Sequence, residues 1–172
     1  MFKEILKGKV VIVGIGNTMK GDDGFGPALI KRLDGKVKAV CIDAGSTPEN
    51  YTGVIAKENP DTILLVDATH LDKMPGQYEI LKPEDILKSG FTTHDISPRM
   101  FLEYLEIRTK ARIFLLGVQP ERISFGDVLS DKIKKTLKEV EELIKKSLGT
   151  EEKFEVPRDN FSKDIQGKIG GS

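Results

Sequence analysis

The stretch GIGNTMKGDDGFG, residues 14–26, directly follows the apolar run 10–13 and dominates any expectation of how the chain folds. It packs five glycines and two adjacent aspartates into thirteen positions. A glycine-rich turn that leaves a strand and opens a helix lets backbone N–H groups approach an anion, whereas paired aspartates suit a metal cation. The stretch therefore predicts a strand, a turn and a helix, with a ligand site at the turn.

Four apolar, β-branched runs are continuous rather than alternating, which is typical of strands covered on both faces. They span residues 9–14, 37–44, 62–68 and 111–118. Segments with helical periodicity lie between them, at 27–33, 52–59 and 100–109. The last segment follows Ser97 and Pro98, in the order of an N-cap and a first helical residue. The alternation predicts an α/β fold: a three-layer sandwich in which a mainly parallel, twisted sheet of about five strands carries helices on both faces.

Two further segments complete the predicted domain. The alternating stretch 77–82 predicts an exposed edge strand. Residues 131–148 carry apolar side chains at helical spacing and precede Gly149, a residue suited to a helix C-cap. We therefore expect one domain over residues 1–149. Residues 150–172 are poor in apolar side chains and have no clear period, so we expect a flexible tail.

Composition excludes several classes of protein. The 172 residues include 27 basic and 27 acidic side chains, so the overall charge points to neither nucleic acid nor an anionic membrane as a partner. No apolar run approaches the length of a membrane span, and the first ten residues lack the apolar core of a signal peptide. The only cysteine, Cys41, excludes an internal disulfide and predicts a buried strand residue. We expect a monomeric, cytoplasmic protein.

Several polar side chains follow the predicted strands, where open parallel sheets bind their ligands. They are Asn17, Asp22 and Asp23 after the first strand, Asp43 in the second, Asp67 near the end of the third with His70 after it, and Gln119 after the fourth. His94, the other of the two histidines, precedes a helix. Carboxylates and an imidazole are thus expected along one rim of the sheet.

The residue types along this rim favour a metal over a nucleotide. A dinucleotide-binding turn needs a third glycine where Met19 stands, no phosphate-binding G-x-x-x-x-G-K-[ST] sequence is present, and adjacent aspartates repel a pyrophosphate. Aspartates combined with a histidine suit zinc, nickel, manganese or iron better than magnesium or calcium.

Each of these residues also has a structural interpretation. We expect one of Asp22 and Asp23 to cap the following helix and the other to face the site. Asp67 is of a type that organises loops at strand ends. His94 is of a type common at protein surfaces, and Asn17 is suited to a turn conformation.

Five stretches taken in order resemble the hydrogenase maturation proteases, most closely the type that serves membrane-bound or formate-linked [NiFe] hydrogenases. They are GIGNTMKGDDGFG (14–26), IDAGSTPEN (42–50), LLVDATH (64–70) followed by MPGQ (74–77), FTTHDISP (91–98) and FLLGVQPE (114–121). The resemblance extends collinearly over residues 9–148 and does not include the C-terminal segment.

The resemblance implies an endopeptidase that removes a short C-terminal extension from the nickel-loaded precursor of a hydrogenase large subunit. Cleavage would let the new C-terminus of the substrate fold inward over its Ni–Fe centre. The metal-contacting residues of the family fall on Asp23, Asp67 and His94, with Asp23 as the candidate catalytic residue. We expect nickel to be presented by the substrate, or another divalent metal to bind the isolated protein.

The residues leave three questions open. The metal could polarise the scissile carbonyl or activate water, or Asp23 could act as base or nucleophile while the metal only docks the substrate. The chain could instead be a docking module that holds a metalloprotein precursor without cutting it, or a metal-dependent hydrolase of a small molecule. Substrate contacts are expected from four residues at the rim. They are Asn17, Gly45, Ser46 and Thr93.

Overall fold

The computed structural model of the protein describes residues 1–150, and their strands form a single sheet. The strands are β1 (Val10–Ile15), β2 (Val40–Gly45), β3 (Thr62–Ala68), β4 (Tyr78–Leu81) and β5 (Arg112–Val118). Their order across the sheet is β2-β1-β3-β5-β4. The β1–β2, β1–β3 and β3–β5 pairs are parallel, and only β4 runs antiparallel, at the edge beside β5. The predicted five-stranded, mainly parallel sheet is confirmed.

Six α-helices accompany the sheet within the described residues. They are α1 (Phe2–Ile5), α2 (Phe25–Leu33), α3 (Thr52–Lys57), α4 (Pro83–Ile86), α5 (Pro98–Thr109) and α6 (Asp131–Leu148), with short 3₁₀ turns at Gly21–Gly24 and Pro48–Tyr51. The α5 helix begins as predicted, because Ser97 Oγ accepts a hydrogen bond from the backbone N–H of Met100 at 3.2 Å. The α6 helix ends before Gly149, whose φ of 76° suits glycine.

Each face of the sheet carries its own hydrophobic core, which makes the fold a three-layer sandwich. Alternate residues of a strand point to opposite faces, so Ile12 packs with α2 and α6 while Val11 and Val13 pack with α3 and α5. The central strands β1 and β3 are buried along their whole length. This burial explains why their sequences are continuously apolar.

The structure moves some of the predicted boundaries. β2 begins at Val40 rather than at residue 37, because Val37 forms only an isolated bridge with Thr150. α2 begins at Phe25, two residues before the predicted start. Cys41 lies in β2 as predicted, but it is half-buried rather than fully buried. The predicted tail lies outside the described residues apart from Thr150.

No helix of residues 1–150 combines the length and the apolar composition that a membrane span needs.

Candidate active site

A cavity of about 370 Å³ opens at the carboxyl ends of β1 and β3. It is lined by Ile15, Gly16, Asn17, Lys20, Asp23, Ser46, Asp67, Ala68, Thr69, His70, Gly90, Thr92 and Ile123. Two parallel strands end there, so the residues that follow them converge on one rim as the sequence predicts. The carboxylates of Asp23 and Asp67 and the imidazole of His70 all line this cavity.

Asp67 is the buried carboxylate of the cavity. It is the penultimate residue of β3, and only 7% of it is exposed. Burial raises the pKa of Asp67 well above its usual value, and the negative charge of Asp23 raises it further, whereas a hydrogen bond from the backbone of Ala68 lowers it. Asp23 and Asp67 line the same cavity, so their negative charges repel each other. Such a pair can share a proton or receive a cation.

Asp23 is positioned by the backbone of the glycine-rich turn. Its Oδ2 accepts a hydrogen bond from the N–H of Asn17 at 2.7 Å. Gly16 has a φ of 136°, and a Cβ at this position would lie 1.8 Å from the carbonyl oxygen of Asp23. Only glycine fits there. The glycine therefore permits a backbone contact that brings Asp23 to the end of β1.

The expectation that one of the two aspartates caps α2 is wrong. Gly24 occupies the N-cap position, and no side chain caps the helix. Asp22 is completely buried and accepts four hydrogen bonds from the segment that follows β5. The donors are the backbone N–H groups of Glu121, Arg122 and Ser130 and the hydroxyl of Ser130. Asp22 thus ties the 121–130 loop to the cavity, while Asp23 lines it.

His94 lies on the loop before α5, and its side chain is 71% exposed. It is not among the residues that line the cavity, and its Nε2 lies 3.9 Å from Asp95 Oδ1. Glu49 Oε1 accepts hydrogen bonds from the backbone N–H groups of His94 at 2.9 Å and Asp95 at 2.6 Å. Within residues 1–150, no three His, Cys, Asp or Glu side chains are grouped closely enough to hold a metal ion. The structure therefore brings Asp23 and Asp67 together, but not His94.

The four expected substrate contacts divide into two pairs. Asn17 and Ser46 line the cavity. Gly45 does not; its N–H donates to Asp43 Oδ1 at 3.0 Å, and its φ of 54° turns the chain at the end of β2. Thr93 does not line the cavity either, since its hydroxyl donates to the carbonyl oxygen of Ile96.

Sequence reasoning missed several residues of the cavity wall. Lys20 is part of the glycine-rich stretch and lines the cavity. Its positive charge, close in sequence to two carboxylates, could have indicated its place at the site. Thr92 is the immediate neighbour of the expected Thr93. Ile123 gave no signal, because it reaches the cavity through hydrogen bonds between the 121–130 loop and the glycine-rich turn, which lies far away in sequence.

Comparison with known proteins gives a consistent result. A sequence profile of the hydrogenase maturation proteases matches residues 27–147, which include Asp67 and His94 and begin after Asp23. The hydrogenase 3 maturation protease of Escherichia coli is 34% identical over 133 residues, which are 76% of this chain and 85% of that protein.

Two solved structures agree with the sequence match. The [NiFe] hydrogenase maturation protease HycI of Thermococcus kodakarensis superposes with a TM-score of 0.77 at 32% identity, covering 85% of this chain and 97% of that one. The endopeptidase HycI of Escherichia coli superposes with a TM-score of 0.72 at 31% identity, covering 81% and 90%. Since profile, sequence and fold agree over most of the chain, the protein belongs to the hydrogenase maturation protease family.

Proposed function

We propose that this protein is the endopeptidase that removes a short C-terminal extension from the nickel-loaded precursor of a [NiFe] hydrogenase large subunit. The observation that carries the proposal is that Asp23 and Asp67 line one open cavity, within a chain of this family. Membership of a protease family favours this activity over a docking module or a hydrolase of small molecules.

The carboxylate pair is suited to meeting a cation that the substrate carries. Asp67 is buried beside the charge of Asp23, so an arriving Ni²⁺ would relieve their repulsion and favour the ionised form of Asp67. Carboxylate oxygens together with an imidazole suit nickel. Nickel is in this scheme part of the substrate, and a precursor without it lacks the contact. Another divalent ion would bind the isolated protein at the same carboxylates.

We assign the third metal contact to His94, which must approach the carboxylates when the precursor binds. Its loop is held by the two backbone hydrogen bonds to Glu49, and its imidazole is exposed beside Asp95. Substrate contacts from Asn17 and Ser46 are supported by their place in the cavity wall. Contacts from Gly45 and Thr93 would extend the site along the rim.

Asp23 is the residue that we assign to the chemistry. One of its oxygens is already fixed by the N–H of Asn17, so the carboxylate has a defined direction in the cavity. It then acts as general base or nucleophile, or it holds the metal that polarises the scissile carbonyl. We propose that the protein acts as a monomer. We propose the cytoplasm as its compartment, in keeping with a chain whose single cysteine cannot form an internal disulfide.

The decisive experiment is mass spectrometry of a purified large-subunit precursor after incubation with the protein, with and without prior nickel loading. We expect nickel-dependent loss of one defined C-terminal peptide. Asp23→Asn should bind the loaded precursor in a pull-down but leave it uncut, and His94→Ala should reduce cutting. The exposed Asp34→Asn serves as control for the loss of a negative charge and should cut normally. A loaded precursor that binds the wild type and stays intact would instead make the protein a docking module.

A further inference from the structure

The cavity contains an imidazole to which neither the carboxylate pair nor the proposed metal contact gives a role. His70 lies two residues beyond β3 and lines the same wall as Asp23 and Asp67. The backbone of Gly90 packs directly on it: a Cβ on Gly90 would lie 3.1 Å from the Cβ of His70, and the N–H of Gly90 donates to the carbonyl oxygen of His70 at 3.3 Å. The backbone of His70 is therefore held in place at the cavity.

The side chain of Gln119 has a defined orientation behind His70. Gln119 directly follows β5 and is 8% exposed. Its Oε1 accepts hydrogen bonds from the backbone N–H of Leu71 at 2.7 Å and of Lys73 at 3.4 Å. A backbone N–H only donates, so the oxygen of the amide must face these two groups. The amide nitrogen consequently faces His70, with Nε2 3.4 Å from His70 Nδ1.

This orientation selects one form of the imidazole. The amide nitrogen of Gln119 can only donate, and it also lies 3.4 Å from the carbonyl oxygen of Pro120. A hydrogen bond between this nitrogen and His70 requires Nδ1 to accept, which places the proton of the neutral ring on Nε2. Nδ1 is directed at a buried side chain, whereas His70 itself is exposed at the cavity. The Nε2–H group therefore lies on the edge of the ring remote from Gln119, where a ligand can reach it.

A bound polypeptide needs such a donor beside the aspartates. Ionised carboxylates only accept hydrogen bonds, so a peptide carbonyl oxygen next to Asp23 and Asp67 must find its donor in another side chain of the cavity. A second polar group in this corner lacks a partner as well: Thr69 lines the cavity, and its buried hydroxyl has no hydrogen-bond partner among the described residues. In this corner His70 is exposed to a ligand, whereas the hydroxyl of Thr69 is buried.

We propose that the Nε2–H of His70 donates a hydrogen bond to a carbonyl oxygen of the bound precursor and holds that peptide group beside Asp67. This inference rests on the proposed function. His70 is then a substrate-binding residue of the reaction, and Gln119 is a positioning residue that keeps the proton of His70 on Nε2.

The first test reads the tautomer without any substrate. Two-dimensional ¹H–¹⁵N spectra of the imidazoles distinguish Nε2–H from Nδ1–H rings, and the chain has only two histidines, so His94→Ala identifies the signals of His70. At a pH at which both rings are neutral, we expect the Nε2–H form for His70. Gln119→Glu keeps an acceptor for Leu71 and Lys73 but puts an acceptor opposite Nδ1, so it should convert the ring to the Nδ1–H form. A wild-type ring in the Nδ1–H form would overturn the inference.

The second test measures cleavage of the nickel-loaded precursor at the same pH. Loss of one neutral hydrogen bond to the substrate weakens an interaction by up to roughly tenfold, so we expect a drop of about this size in kcat/KM for His70→Ala. His70→Gln retains an N–H donor and should recover much of the activity, while Gln119→Glu should fall towards the level of His70→Ala. Wild-type rates in His70→Ala would overturn the role of His70. A wild type that does not cut the precursor would refute the proposed function, and the tautomer measurement would still decide the state of the ring.

Discussion

The carboxylate of Asp67 is buried, and its burial lowers the stability of the folded protein by an amount that depends on pH. Its pKa lies above that of the unfolded chain, about 3.9 for Asp. Between these two values the folded protein holds a proton that the unfolded chain has released. The stability contributed by the protonated form is fully present below a pH of about 3.9 and is lost as the pH rises through the raised pKa.

Replacing Asp67 by Asn should therefore stabilise the protein while it abolishes cleavage. In the presence of a chelator at pH 8, we expect Asp67→Asn to melt above the wild type, with about 2–4 °C for each kcal/mol gained. The difference should shrink towards pH 4, where the wild-type carboxyl is neutral. Differential scanning calorimetry at both pH values measures this, with the exposed Asp34→Asn as control. A lower melting temperature for Asp67→Asn at pH 8 would contradict the conclusion that the buried charge of Asp67 destabilises the folded protein.

The neighbouring Asp22 should have the opposite effect on stability. Asp22→Ala leaves the backbone N–H groups of Glu121, Arg122 and Ser130 without their acceptor, at about 1–3 kcal/mol for a buried group such as that of Ser130 and less for the two on exposed residues. We expect the free energy of unfolding in urea to fall by about 3–5 kcal/mol. Asp127→Ala in the same loop removes only a partly exposed carboxylate 3.9 Å from Arg122, so it should change stability by less than about 1 kcal/mol. Equal losses in the two variants would show that Asp22 does not organise the loop.

The sequence identified both aspartates but not how they divide their roles. Either one could have capped α2 on local grounds. The role that each aspartate takes depends on the segment that follows β5, since the partners of Asp22 lie there, 99 to 108 positions away in sequence. Local spacing contains no information about such a contact. The same holds for His70 and Gln119, which meet across 49 positions.

At the scale of elements, the close approach of α2 to β1 determines where the glycine-rich turn sits. Gly26 in α2 lies against the backbone of β1: a Cβ there would come within 2.3 Å of the carbonyl oxygen of Ile15 and 2.6 Å of that of Val66. Gly14 lies opposite Gly26 on the strand, and a Cβ on Gly14 would lie 2.5 Å from the carbonyl oxygen of Gly26. Two glycines thus allow the helix and the strand to approach backbone to backbone.

A matched pair of glycine substitutions tests this contact. Gly26→Ala must push α2 away from the sheet, and we expect a loss of about 3 kcal/mol in the free energy of unfolding. Gly53→Ala in α3 meets no atom within 4 Å, so it should stabilise by ~0.5–1 kcal/mol through helix propensity. Urea denaturation of the two variants against the wild type gives both values. Similar shifts of the same sign would show that close packing at Gly26 is not the reason for the glycine.

Patterning predicted the elements well and their ends less well. The continuous apolar runs of β1, β3 and β5 are buried strands, because both faces of the sheet are covered by helices. The start of β2 was misplaced, since Val37 is buried against other parts of the chain without joining the β2–β1 ladder. Apolar character reports burial, and only pairing with a neighbour decides whether a buried residue belongs to a strand.

At the scale of the whole molecule, the described residues contain both hydrophobic cores of the sandwich. The superposition covers 97% of the solved protease of Thermococcus kodakarensis but only 85% of this chain. The fold that the two proteins share therefore includes only part of this sequence. This supports the predicted domain boundary near Gly149, which stays a prediction.

A chain that ends at Thr150 tests that boundary. It retains the bridge between Val37 and Thr150, and we expect its melting temperature to lie within about 2 °C of the full chain, which is less than a change of ~1 kcal/mol would give. Circular dichroism during heating provides the comparison, and cleavage of the nickel-loaded precursor shows whether the shortened protein retains activity. A large fall in melting temperature would place residues beyond 150 within the folding unit.

The repulsion between Asp23 and Asp67 also affects how the protein releases its product. Under the proposed function, a cation on the substrate relieves this repulsion, and the relief contributes to binding for as long as the cation is accessible. Once the extension is removed and the hydrogenase subunit folds over its metal, the two carboxylates face each other again without a counter-charge. Affinity is then lost through a change in the partner rather than in the protease. Turnover would then be timed by the folding of the product.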